Sequence, residues 1–223
     1  MKKKLACFDL DGTLLPNTYS GFNKVQDILF KMGLPPADSE LIRKSWGKPF
    51  LELAQIACRS AGAAERHPEF LEIEKKIGQK YINFCPILPG ILKRVKKSAY
   101  LAIITSRDRK SFDEISKISN LHPSLFEFVQ TLEDSEFKKP DPRVFSELLR
   151  WAESLNLHHS DITYFGDTVN YDLAAVQGHH KINFVGVCSG ASLPHEFLSA
   201  GVADIVHGTN GLSEYLDQIY LTD

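Results

Sequence analysis

Alternation is the feature of this chain that most restricts its fold. Residues 5–8, 100–104, 128–130, 162–165 and 183–187 are apolar runs of strand length, and helical patterns separate most of them. Strand alternating with helix implies a parallel sheet covered on both faces, because two parallel strands need a crossover long enough to hold a helix. Residues 143–156 show how such a helix is written: Asp141 stands ready to cap, Pro142 takes the first helical position, and Val144, Leu148, Trp151 and Leu155 recur on one face. A further helix is expected to begin near Asp172 and to end at Gly178.

Residues 16–86 break the alternation. Phe22, Val25, Leu29 and Met32 line one helical face up to Gly33. Pro49 opens a helix carrying Leu53, Ala57 and Ala61 that Gly62 ends, and Phe70, Ile73, Ile77, Tyr81 and Phe84 line a third. A strandless block inserted after the first strand is expected to be a separate cap domain of residues 16–86, on a core built from 1–15 and 87–223. Its joints should lie at 15–18 and 85–90, where Pro16, Pro86, Pro89 and Gly90 cluster. The expected class is α/β: a doubly wound parallel sheet with an inserted all-helical cap.

Bulk properties exclude several functions. With 43% hydrophobic and 24% charged residues, the chain has ordinary globular usage and can bury a core. A formal charge of -2 argues against a nucleic-acid partner. No apolar stretch approaches the ~20 residues that span a bilayer, so no membrane partner is expected. The run after Lys2, Lys3 and Lys4 is cut short by Asp9 and Asp11, unlike a signal peptide, and a cytoplasmic location is expected. Cys7, Cys58, Cys85 and Cys188 are scattered and read as small apolar residues rather than a disulfide or zinc framework.

In a parallel sheet all strands end at one edge, and ligands bind in the crevice outside it. The first run ends in Asp9-Leu10-Asp11-Gly12-Thr13, the second in Thr105-Ser106, the fourth in Gly166-Asp167, with Asp172 shortly beyond. Carboxylates forced together repel one another, and the usual remedy is a hard cation with oxygen ligands, Mg2+ above all. A bound phosphate would need protein cations as well, and Lys139, just ahead of a helix, is placed to supply one.

FDLDGTLL at 8–15, IITS at 103–106, KPDP at 139–142 and GDTVNYD at 166–172 stand in the order of four motifs, and in this the chain resembles the haloacid dehalogenase superfamily. The helical block is similar in length to the cap of its phosphoglycolate phosphatase and beta-phosphoglucomutase branch. That resemblance implies a phosphohydrolase acting on a small phosphomonoester. It implies Asp9 as nucleophile and Asp11 as general acid and base, with Mg2+ held by the Asp9 side chain, the Asp11 carbonyl and Asp167. Asp172 would order metal-bound water or hold Lys139, and Thr105, the Ser106 backbone and Lys139 would bind the transferring oxygens. An Asp9 with an ordinary pKa near ~4 would be ionised at neutral pH. A monomer or homodimer is expected.

The chain departs from relatives at Pro16-Asn17-Thr18, where many have Asp followed by Ser or Thr, which leaves the substrate open. Trp46-Gly47-Lys48-Pro49 is similar in position to the cap loop that closes on the leaving group, making Lys48 and Trp46 candidate substrate contacts. Arg107, Arg109 and the pairs His158-His159 and His179-His180 read as surface residues. The rival functions are a phosphomutase with the same motifs and a non-catalytic phosphate-binding module; a dehalogenase has no need of Asp11.

Overall fold

The computed structural model describes residues 3–16, 18–77, 88–179 and 181–221. Within them, β1 (Lys4–Phe8), β2 (Ala99–Ile104), β3 (Phe128–Gln130), β4 (Ile162–Gly166), β5 (Asn183–Val187) and β6 (Asp204–Val206) form one parallel sheet in the order β3-β2-β1-β4-β5-β6. Phe8 pairs with Ile103 on one side and Phe165 on the other, so β1 is central and the strand order reverses beside it.

Period-two geometry sends neighbouring side chains to opposite faces. Ala6, Phe8, Leu101, Ile103 and Phe165 enter one core with α5 (Leu88–Val95), α6 (Arg109–Ser119) and α10 (Gly208–Tyr220). Leu5, Cys7, Ala102, Ile104, Ile162 and Tyr164 enter the other with α7 (Ser146–Ser154) and α8 (Ala174–Gln177). Both faces are therefore covered, as a fully buried parallel sheet requires.

Before α5, α1 (Thr18–Lys31), α2 (Ser39–Lys44), α3 (Phe50–Ser60) and α4 (His67–Ile77) enclose an apolar cluster of their own, with Val25, Ile28, Leu29, Leu53, Ala57 and Phe70 at its centre. Gly33 and Gly62 follow α1 and α3 at positive φ, as helix ends favour.

The structure corrects several expectations. Pro89 and Gly90 belong to the first turn of α5 rather than to a linker, since proline there has no hydrogen bond to lose. Residues 143–156 are not one helix: Pro142–Phe145 is a 3-10 turn capped by Asp141, α7 follows, and Asn156 turns away at φ 57°. The short elements α2, β6 and α9 (Pro194–Ser199) had no pattern long enough to read. Tyr81, Phe84, Cys85 and Pro86 lie outside the described residues. Among the described residues no helix is long and apolar enough to cross a membrane.

Candidate active site

The reversal of strand order beside β1 opens a crevice at the carboxyl edge, where β2, β1 and β4 discharge. Asp9 follows β1, its amide donating to the Phe165 carbonyl at 2.8 Å. Asp167 follows β4. Asp172 is carried by a π-turn, Val169–Leu173, whose cap Thr168 exchanges hydrogen bonds with it. Asp9, Asp167 and Asp172 are all buried, each offering a carboxylate oxygen within 4.8 Å of the others.

Lys139 is the cation of this cluster, its side chain only 3% exposed. Its Nζ donates to Asp9 Oδ1 at 2.6 Å, Asp172 Oδ1 at 2.7 Å and Tyr164 Oη at 3.3 Å. Asp172 Oδ1 also accepts from Tyr164 at 3.0 Å, and its Oδ2 accepts from the Thr168 amide at 3.0 Å and hydroxyl at 2.5 Å. Both oxygens of Asp172 accept hydrogen bonds, one of them from Lys139; Asp172 is buried and is not the helix cap, and Asn170 is exposed.

Asp167 is walled by backbone. A Cβ on Gly12 would meet its Oδ2 at 2.3 Å, and one on Gly190 at 1.7 Å; Gly12 also sits at φ 86°. Only glycine allows both loops to close on the carboxylate. The Ala191 amide donates to Asp167 Oδ2 at 2.8 Å.

Three buried carboxylates face one ammonium, and burial together with these charges displaces the titration of Asp9, Asp167 and Lys139. Burial, opposed by Lys139 and reinforced by Asp172, pushes Asp9 up to about 7. Burial with the charges of Asp172 and Asp9 raises Asp167 well above the carboxylate range, against the Ala191 amide and Lys139. Burial disfavours the charge on Lys139, yet Asp172 and Asp9 outweigh it and hold the ammonium above the ordinary lysine value. The expectation that Asp9 has an ordinary pKa is thus corrected: the sequence gives its charge, the fold its desolvation. An all-oxygen donor set with surplus negative charge fits a hard divalent cation.

Asp11 faces a partner that sequence reading placed at the surface. Arg107 donates through Nε to Asp11 Oδ2 and through Nη2 to Oδ1, both at 2.6 Å, while Nη1 bonds Ser111 at 2.8 Å. The signal was its place directly after Thr105-Ser106 at a strand end. Arg109, by contrast, points away to Asp134. Thr105 and Ser106 do not cap α6; Asp108 does. Thr105, Ser106 and Lys139 line one small cavity with Gln130 and Thr131.

Lys48 and Trp46 lie on the helical side. Lys48 bonds Glu52 at 3.2 Å and stands 5.8 Å from the Tyr171 ring; Trp46 stacks on Phe22 and borders a crevice with Thr168, Asn170 and Tyr171. Neither bonds the carboxylate cluster. His179 is half-buried rather than freely solvated: it bonds the Pro142 carbonyl at 2.7 Å and meets Phe145 edge-on, while His180 lies outside the described residues.

Residues 6–187 match the model of the haloacid dehalogenase-like hydrolase family. The chain belongs to that family and is an enzyme of it. It is 24% identical over 235 residues to the phosphoglycolate phosphatase of Psychrobacter arcticus, covering 99% of this chain and 98% of that one. A structure described as a predicted phosphoglycolate phosphatase of Haemophilus somnus superposes with a TM-score of 0.74 at 21% identity, covering 100% and 99% of the two chains. A beta-phosphoglucomutase of Clostridium difficile superposes with a TM-score of 0.66 at 19% identity, covering 98% and 97%. These two share the fold, with the inserted helices included in the matched length, and the resemblance read from the motifs is borne out.

Proposed function

We propose that this chain is a Mg2+-dependent phosphatase that hydrolyses a small phosphomonoester through a phosphorylated Asp9. The observation that carries the reading is the Asp9 carboxylate held by Lys139 at the reversal of the sheet, among further buried carboxylates. The named phosphatase relative supports it.

Asp9 attacks phosphorus in line, and the bond to the leaving oxygen breaks as Asp11 gives that oxygen a proton. Water then attacks the aspartyl phosphate, Asp11 takes its proton, and phosphate departs with restoration of the Asp9 carboxylate. Arg107 orients Asp11 for the second step, since a carboxylate gripped by a guanidinium is an acceptor; proton donation requires Asp11 to leave that grip. Lys139, Thr105 and the Ser106 amide bind phosphoryl oxygens, and Asp172 keeps Lys139 in place. Bound through Asp9, the Asp11 carbonyl and Asp167, with Asp172 behind them, Mg2+ would neutralise charge on the transferring group.

Residues 16–86 act as a cap over this site, a reading their separate apolar cluster supports. A cap that excludes water suits small substrates such as phosphoglycolate, sugar phosphates or nucleotides, with Lys48 and Trp46 reaching the leaving group. The test is a panel of phosphomonoesters with Mg2+, read as phosphate release and beside it as isomerisation of hexose 1-phosphates. Phosphate release that Asp9→Asn abolishes and chelation stops is expected. A tenth of the wild-type rate in Asp9→Asn would defeat the nucleophile, and isomerisation in place of release would make the enzyme a phosphomutase.

A further inference from the structure

The segment after β5, residues 188–193, touches more of the site than any motif indicates. Ser189 Oγ donates to the Gly12 carbonyl at 2.7 Å, and Ser192 Oγ accepts from the Val169 amide at 2.9 Å. The Ser192 amide donates to the Asp167 carbonyl at 3.0 Å, and the Ala191 amide to the Asp167 carboxylate at 2.8 Å. This loop therefore decides where the Asp167 carboxylate points.

One cation from the helical block grips the loop from outside. Arg43 of α2 donates through Nη1 to the Ala191 carbonyl and to Glu196 Oε2, both at 2.8 Å, and through Nη2 to Glu196 Oε1 at 3.0 Å. Glu196 Oε2 accepts from the Leu193 amide at 2.8 Å, fastening the same carboxylate to the end of the loop. The remaining side of the guanidinium is held by Glu40 from within α2. The Arg43 side chain is 18% exposed and that of Glu196 29%, so the fork-to-fork pair is partly withdrawn from water and worth more than an open surface ion pair. Ala191 is the joint: its carbonyl answers to Arg43 and its amide to Asp167.

We infer that Arg43 and Glu196 are positioning residues that couple the seating of the helical block to the aim of Asp167, so that the metal site is completed only when the block is seated on the core. The inference rests on the Mg2+ reading above and goes beyond it, because neither residue belongs to a motif or touches the carboxylate cluster. A helical block that swings away takes Arg43 from the Ala191 peptide, and the 188–193 loop loses its outer support. Block position and cation affinity are then linked, and by reciprocity a bound cation favours the seated block.

The test is direct binding of Mn2+ to the full chain, followed by the electron paramagnetic resonance of the free ion, with displacement by Mg2+. Wild type, Arg43→Met and Glu196→Gln are compared; the first keeps an apolar stem without the fork, the second keeps volume and the acceptor for Leu193. Supporting groups behind metal ligands typically contribute 10- to 100-fold in affinity, so Arg43→Met should raise the Mn2+ Kd by about tenfold and Glu196→Gln in the same direction by less. Arg43→Lys should recover part of the loss. Circular dichroism identifies a variant that does not fold, in which case Glu196→Gln decides the matter alone. Mn2+ affinity within twofold of wild type in the folded variants overturns the coupling. A wild-type chain that binds no Mn2+ overturns the metal reading itself, and the coupling with it.

Discussion

Raising the pH of the metal-free protein is expected to weaken it, and Asp9 is one group whose share of the effect can be worked out. Its pKa is about 7 in the fold against 3.8 for an unperturbed aspartate. A carboxyl group whose pKa is raised on folding holds its proton more tightly in the native state. Its contribution to stability is therefore fully present below about pH 4 and is lost as pH rises through about 7. Between pH 5 and pH 8 the linkage relation for these two values gives a loss on the order of 2 to 3 kcal/mol. In a chain of 223 residues that corresponds to a fall in Tm of roughly 5 to 10 °C. Asp167, also raised, acts in the same direction. Glu40, Asp141 and Glu196 are held low by arginine partners and titrate below this window, while Lys139 keeps its proton throughout it. Calorimetry of metal-free wild type and Asp9→Asn at both pH values isolates the group, because the substitution keeps the volume, removes the titration and subtracts the histidines. Asp9→Asn should have the flatter profile and exceed wild type in Tm at pH 8. Mg2+ should stabilise wild type more at pH 8 than at pH 5, since the cation competes with the proton for the same oxygens. Superimposable pH profiles for the two proteins would refute the claim that burial has displaced the titration of Asp9.

Other perturbations probe the remaining roles. Asp11→Asn should slow an alkyl phosphate by about 10²- to 10⁴-fold while sparing an aryl phosphate with a good leaving group; equal rates on the alkyl substrate would remove Asp11 from proton transfer. Lys139→Met strands buried carboxylates without their cation and should destabilise the fold by about 3 to 5 kcal/mol in urea titrations. In the same variant the pH optimum should move to higher pH, because Lys139 pulls the Asp9 pKa down; an unmoved optimum would contradict that assignment. Lys48→Ala should raise KM for the best substrate and leave a generic aryl phosphate nearly unaffected, the pattern of lost binding to the remote part of a substrate. Equal losses on both would point to a defect in packing against Tyr171 instead.

Strand-ending carboxylates were legible because chemistry at a parallel sheet's edge is written in consecutive letters: Asp9 and Asp11 after one apolar run, Thr105 and Ser106 after another, Asp167 after a third. The same locality made the helical block readable, since a 3.6-residue period needs no distant partner. What the tertiary structure decided depends on residues far apart in the chain. Arg107 became the partner of Asp11, 96 positions away, although its neighbours in sequence mark only the first turn of a helix. Arg43 reached Glu196 across 153 positions, and no periodicity encodes such a meeting. Asp9 lost its ordinary titration because burial, reinforced by Asp172, outweighs the opposing charge of Lys139, and desolvation is a property of a surrounding volume, not of a string. Side-chain type and local period thus determine which groups arrive at the edge of the sheet; burial and long-range pairing determine the charge each group carries there.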